Sequence, residues 1–189
     1  KAMSDRMGRR ELMGAVGAAV VASAVAGAAH AQEAKPQRKI IGICGSPRKG
    51  KTTAAALDIC LRAAKEQAAT IQTELIELAD LSIPAYVAAG VPLKEGERDD
   101  FPALAEKLEA PNLVGIIVGS PVYFGNMSAL CKAFLDRCNA FRKKDFALMN
   151  KVGGVVAVGG TRNGGQELTV QSIQAALSGQ NMIIVNTGQ

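Results

Sequence analysis

The sequence predicts an α/β domain built as a doubly wound, five-stranded parallel sheet. From Lys39 onward, apolar runs of strand length alternate with stretches of helical periodicity. Three of the runs, residues 40–44, 113–118 and 152–158, are apolar throughout, as strands covered on both faces are. Each of the three leads into a glycine-rich loop. Ligands of doubly wound sheets bind outside the carboxyl ends of the strands, so these loops are expected to share one ligand.

Composition sets the bounds. At 189 residues, 48% of them hydrophobic, the chain suits one globular domain with a substantial core. Aromatic residues make up 4% and Trp is absent, which suits close-packed helices on a sheet better than a base-stacking surface. The net charge is +5, but four cations and two anions lie in residues 1–31, leaving +3 for the remainder. That is not the basic footprint of a nucleic-acid-binding domain, and no nucleic-acid partner is expected.

Residues 1–31 have the layout of a cleavable export signal: Arg9 and Arg10, an uncharged Ala, Val and Gly run over residues 14–29, then Ala29-His30-Ala31. Paired arginines ahead of so mild an apolar segment match the twin-arginine type, which places the mature protein in the periplasm; with the signal unused it stays cytoplasmic. The run is short for a membrane span, and the mature domain is not expected to be membrane-embedded. His30 is the sole histidine of the sequence, so cleavage after Ala31 leaves none. Ser-His-Asp and Cys-His schemes and histidine metal sites are then excluded from the mature protein, and a bound cofactor is expected to carry the chemistry. Residues 32–38, with Pro36, read as a polar linker to a domain over residues 39–189.

Within that domain, Leu57, Cys60, Leu61 and Ala64 recur at helical spacing behind the first loop. Residues 71–78 alternate apolar and polar like a half-exposed edge strand. Residues 79–100, with Pro84, Gly90 and Pro92, are irregular, and residues 101–110 form a short helix stopped by Pro111. Behind the second loop, Met127, Leu130, Phe134, Leu135, Cys138 and Phe141 make one helical stripe. It ends near Arg142-Lys143-Lys144, cations that favour a helix C-terminus. Val170, Ile173 and Leu177 mark a fourth helix stopping at Gly179, and residues 182–185 a last strand. A doubly wound fold usually adds a closing helix after that strand, so one is expected to be missing here. Cys131 and Cys138 sit on one helix about 10 Å apart along its axis and cannot pair. With Cys44 and Cys60 they read as small buried hydrophobes.

The first loop, Gly45-Ser46-Pro47-Arg48-Lys49-Gly50-Lys51-Thr52-Thr53, lies between a strand and a helix, where backbone amides and the helix dipole make a phosphate site. Gly45 to Thr52 also matches the triphosphate-loop pattern G-x-x-x-x-G-K-[ST], with Lys51 placed for distal phosphates and Thr52 for magnesium. That reading needs a magnesium-orienting acid at the end of a neighbouring apolar strand. Residues 113–118 run into Gly119-Ser120-Pro121 and residues 152–158 into Gly159-Gly160, and neither supplies one.

Three blocks together carry a family resemblance: Gly45-Ser46-Pro47-Arg48-Lys49; Gly119-Ser120-Pro121-Val122-Tyr123-Phe124-Gly125-Asn126-Met127-Ser128 with Lys132-Ala133-Phe134-Leu135-Asp136-Arg137; and Gly159-Gly160-Thr161-Arg162-Asn163-Gly164-Gly165-Gln166-Glu167. They resemble the signature blocks of the NADPH-dependent FMN reductase family, in particular its iron-sulfur flavoprotein branch, over residues 39 to about 185. The resemblance implies a flavodoxin-like fold with strand order 2-1-3-4-5 and bound FMN. It implies that Ser46, Arg48, Lys49, Gly50, Lys51, Thr52 and Thr53 hold the FMN phosphate. It further implies that Pro121, Val122, Tyr123, Phe124, Gly125 and Asn126 line the isoalloxazine, and that Gly160, Thr161, Arg162, Asn163 and Gly164 approach the ring. Lys51-Thr52-Thr53 replaces the family's frequent Gly-Asn-Thr or Gly-Asn-Ser. The iron-sulfur branch has a compact cysteine cluster in the segment corresponding to residues 81–94, where this chain has no cysteine. Because cluster ligation needs cysteine thiolates, no iron-sulfur cluster and no metal site are expected.

The function implied is that of an FMN-dependent oxidoreductase of the NAD(P)H:FMN/quinone reductase type, passing electrons between a donor and a small-molecule or quinone acceptor. The flavin supplies the chemistry, and Tyr123 is the one side chain considered for a direct part. A flavodoxin-like electron carrier without a substrate is the alternative, followed by the triphosphate hydrolase. Partners are a small-molecule or redox-protein electron partner and, by resemblance, further copies in a homodimer or tetramer. Residues 81–100 would help cover the flavin there, since connections of that length are usually functional or disordered. Export would put the mature domain where reduced nicotinamide is unavailable, so a redox protein or a quinol is expected to replace NADPH as donor.

Overall fold

A computed structural model of the chain describes residues 37–185. The export-signal reading and most of the linker lie outside the described residues. The elements are β1 (Arg38–Cys44), α1 (Thr52–Gln67), β2 (Ile71–Glu77), α2 (Phe101–Leu108), β3 (Leu113–Tyr123), β4 (Asn126–Met127), α3 (Ala129–Arg137), α4 (Asn139–Arg142), β5 (Val152–Val158), α5 (Gln166–Ser178) and β6 (Ile183–Ile184). The strands lie in the order β2-β1-β3-β5-β6, all parallel, and β4 pairs antiparallel with the end of β3. With β4 set aside this is the expected 2-1-3-4-5 order, and the strand order reverses between β1 and β3.

Alternation along the strands sorts the core into two layers. Ile41, Ile43, Ile116 and Val118 pack with residues of α2, α3 and α5, among them Leu108, Phe134 and Ile173. On the opposite face Cys44, Leu75, Ile117 and Val156 pack against Ala54 and Leu57 of α1. Two glycines let α1 lie close to the sheet: a Cβ on Gly42 would stand 2.9 Å from Leu61, and one on Gly119 2.7 Å from Leu57. Beside α1 runs an apolar groove of about 470 Å³, bordered by Ile40, Val114, Ile117, Val152, Val156 and Val185.

Three elements differ from expectation. β3 does not stop at Val118, because its pairing with β5 runs on through Ser120↔Ala157 and Pro121↔Val158. The stripe behind the second loop starts at Ala129 and breaks at Cys138, whose N–H is shared between the carbonyls of Phe134 and Asp136, a local tightening that ends α3 and begins α4. The last strand keeps only Ile183–Ile184, Met182 turning into the core instead. The irregular stretch holds two short 3₁₀ turns, Leu78–Asp80 and Ala85–Ala89.

A buried ion pair fastens that stretch to α3. Arg137, 7% exposed, donates to Asp99 through Nη1 at 3.0 Å and Nη2 at 2.7 Å, and to the Pro84 carbonyl at 3.2 Å. Its guanidinium lies 4.7 Å from the Phe101 ring centroid. Asp99 also accepts the Phe101 N–H at 3.1 Å, so one carboxylate serves the start of α2 and the cation of α3. Removing one partner strands a buried charge, whereas removing both does not. Asp99→Ala is therefore expected to cost about 3 kcal/mol in urea unfolding, with most of it recovered in Asp99→Ala/Arg137→Met.

Candidate functional site

The first loop is shaped before any ligand arrives. Ser46 is buried at 2% exposure, and its hydroxyl bonds the Arg48 N–H at 3.1 Å and the Arg48 carbonyl at 3.2 Å. Pro47, Arg48, Lys49, Gly50, Lys51 and Thr52 are exposed, while Thr53 sits beneath them at 1%. Gly50 takes a left-handed φ of 64° and donates its N–H to Glu77 Oε2 at 2.8 Å. Lys49 pairs with Asp80 at 2.5 Å, and the Asp80 hydrogen bond holds its ammonium above the ordinary lysine range. α1 begins on Lys51, and no side chain caps it. Lysine has no acceptor to offer at that position. The first-turn amides of this 16-residue helix thus face out of its positive end without a capping acceptor.

The second loop is a hairpin. Val122 pairs with Met127 and Tyr123 with Asn126. Between them Phe124 and Gly125 have φ of 49° and 79°, the double left-handed turn that joins antiparallel strands tightly. Phe124 projects fully into solvent, Tyr123 is 40% exposed and Asn126 is exposed. Pro121 is buried beneath the hairpin. In the third loop, Gly160, Thr161, Arg162 and Asn163 are exposed and Gly164 is half-buried. The Gln166 amide crosses this loop: Nε2 donates to the Thr161 carbonyl at 2.7 Å, in the space that Gly159 leaves by lacking a Cβ.

The loops are joined to one another. Ser128, 2% exposed, donates through Oγ to the Gly45 carbonyl at 2.5 Å and accepts the Cys131 N–H at 3.0 Å, while its own N–H donates to Ser120 Oγ at 3.0 Å. A Cβ on Gly45 would stand 2.5 Å from Cys131 Cβ, so the first loop rests directly on α3. The third loop touches the second at Gly165, where φ is 101° and a Cβ would stand 2.7 Å from the Gly125 backbone. All three glycine-rich loops therefore meet at the carboxyl edge of β1, β3 and β5. Ser128, Glu77 and Gln166 are site-building residues absent from the sequence prediction. Ser128 carries a legible signal, a hydroxyl residue two positions before Leu130 of the helical stripe.

The cysteines are arranged otherwise. Cys44, Cys131 and Cys138 are buried and Cys60 is half-buried on α1, all four free. Burial pushes the Cys131 thiol up to about 12 and raises Cys138 as well, so these thiols stay protonated. Among the described residues no group of three or more His, Cys, Asp or Glu side chains is placed to hold a metal ion.

The sequence profile described as NADPH-dependent FMN reductase matches residues 38–189. The chain belongs to this family. An iron-sulfur flavoprotein of Methanosarcina thermophila is 41% identical over 150 residues, spanning 78% of this chain and 76% of that relative. An NAD(P)H dehydrogenase (quinone) of Paracoccus denitrificans is 36% identical over 104 residues, 54% of this chain and 50% of that relative. Among solved structures, an apo NADH:FMN oxidoreductase superposes with a TM-score of 0.58 at 26% identity, covering 79% of this chain and 73% of that one. The matching family is described as a reductase of FMN.

The Ser128 hydroxyl is the joint between the first two loops of this FMN reductase family member, and its loss leaves the Gly45 carbonyl buried without its donor and α3 without its cap. Ser128→Ala is expected to destabilise the domain by about 2 kcal/mol in chemical unfolding. A change below about 0.5 kcal/mol, the usual size at unconstrained surface positions, would show that the joint is dispensable.

Proposed function

We propose that the chain binds FMN noncovalently at the edge where the three loops meet and works as an oxidoreductase between an electron donor and a small-molecule or quinone acceptor. The observation that carries this reading is the uncapped N-terminus of α1, tied through Ser128 and through the Gly125–Gly165 contact to two further glycine loops. The residues fit the group. Backbone amides at the start of α1, with Ser46, Arg48, Lys51, Thr52 and Thr53, would hold a terminal phosphate, and Lys49 and Gly50 fix the loop that presents them. Tyr123, Phe124 and Asn126 would flank the ring on one side, and residues 160–164 on the other. When bound, the isoalloxazine supplies the redox chemistry. The protein's own part is to hold the phosphate, to shield the ring with the exposed aromatic hairpin and to present backbone donors from the third loop. FMN is preferred to FAD because one short loop accommodates one terminal phosphate.

The iron-sulfur name of the Methanosarcina relative does not carry over. Cys60 lies on α1, on the sheet face opposite α3, which bears Cys131 and ends at Cys138, and the described cysteines do not fit a compact cluster. In the proposed reading electrons therefore reach the flavin directly, without a protein-bound relay. The family description favours NADPH as donor, whereas the export reading of residues 1–31 favours a redox protein or a quinol outside the cytoplasm. A homodimer or tetramer is proposed from the exposed Tyr123 and Phe124 of the hairpin and the exposed Leu168 in the first turn of α5.

Ligand released by heat from the purified protein is expected to be FMN by mass spectrometry; a nucleoside triphosphate in its place would overturn the assignment. Stopped-flow reduction of the bound flavin separates the donors. The export reading expects NADPH reduction slower than the range of enzyme turnover, roughly 1 to 1,000 per second, and a rate within that range would contradict it.

A further inference from the structure

We propose that Glu77 is a positioning residue of the phosphate loop, reaching it from the neighbouring strand; this rests on the flavin reading above. Glu77 closes β2 and stands in register beside Cys44, the last residue of β1, so its carboxylate lies next to the loop that leaves β1. From there Oε2 accepts the Gly50 N–H at 2.8 Å. Gly50 is the residue at which the loop turns into α1, with φ 64° and nothing within 4 Å of where a Cβ would be. Nothing packs where a side chain would stand, and the hydrogen bond to Glu77 ties the turn to the neighbouring strand. The Gly50 amide is also withdrawn from the donors open to a ligand, which leaves the amides of the first turn of α1 aimed outward.

A second tie, Lys49 to Asp80, runs parallel to it, but both side chains are more than half exposed. Exposed pairs of that kind contribute little, whereas a carboxylate accepting a backbone N–H makes one of the stronger hydrogen bonds. The Glu77–Gly50 bond is also open to solvent, but it fastens the backbone itself at the turn into α1, where Ser46 fastens it only at Arg48. Removing the Glu77 carboxylate also removes a negative charge near the ligand phosphate, an effect of opposite sign. Glu77→Gln makes that charge change while keeping an acceptor oxygen in place, so two variants separate the two effects.

Flavin titration by fluorescence quenching, with FMN and with riboflavin, tests the proposal on the apoprotein. Glu77→Ala is expected to weaken FMN about tenfold, the equivalent of about 1.4 kcal/mol, and to leave riboflavin within about twofold. Glu77→Gln is expected to bind FMN within about threefold of the unaltered protein. An unchanged FMN affinity in Glu77→Ala, a parallel loss of riboflavin, or a Glu77→Gln variant as weak as Glu77→Ala would each overturn it. Binding of neither flavin by the unaltered protein would overturn the flavin reading itself.

Discussion

Much of the edge depends on one buried hydroxyl. Ser128 gives its proton to the carbonyl of Gly45 and takes the amide proton of Cys131, while its backbone N–H is fixed by Ser120. The end of β1, the end of β3 and the start of α3 are thereby tied together among residues that are themselves buried. Close packing enforces the same geometry, since Gly45 lies against Cys131 with no room for a side chain. The polar joint and the steric one act on the same pair of elements. Buried polar groups that are fully partnered specify a unique structure more sharply than apolar contacts alone.

From that joint the remainder of the edge follows. With β1 fixed against β3, the loop after β1 must turn into α1 in a short span, and it does so with a left-handed Gly50 held by Glu77. The helix begins at a lysine and has no capping side chain, an arrangement that costs stability in the free protein and is offset when an anion fills the place of the cap. The same letters in Gly45 to Thr52 also spell a triphosphate loop. A pattern of glycines ahead of a helix dictates an anion site, and only its surroundings dictate which anion. Here the surroundings are two more glycine loops and an exposed aromatic hairpin, in a family named for FMN.

The strand order and the meeting of the loops were legible because uniformly apolar runs followed by glycines are what a buried parallel sheet requires. Residues 71–78 were legible as an edge strand through their alternation, and β2 does lie at the sheet's edge. The hairpin at Phe124 was not, because a phenylalanine at φ 49° runs against local preference, and only the pairing of Val122 with Met127 makes it necessary. Pro121 belongs to a turn-rich stretch of sequence, and its pairing with Val158 draws it into the sheet. Glu77 acts on its loop across 27 residues of chain and carries no local signature, whereas Gln166, five residues from Thr161, stands inside the third sequence block. The ends of β3 and β5 carry no acid, and the acid that reaches the first loop stands at the end of β2. Side-chain reach across neighbouring strands is decided by register, which a linear pattern does not contain.

The central claim is that three loops hold one flavin, with its phosphate on the first turn of α1. Backbone amide NMR shifts on addition of FMN and of riboflavin test it most directly. Both ligands should move the amides of Tyr123 to Asn126 and of residues 160–164, and FMN alone should move those of Lys51, Thr52, Thr53 and Ala54 at the helix start. Shifts confined to one loop, or a response of the α1 amides to riboflavin equal to that for FMN, would contradict the shared site.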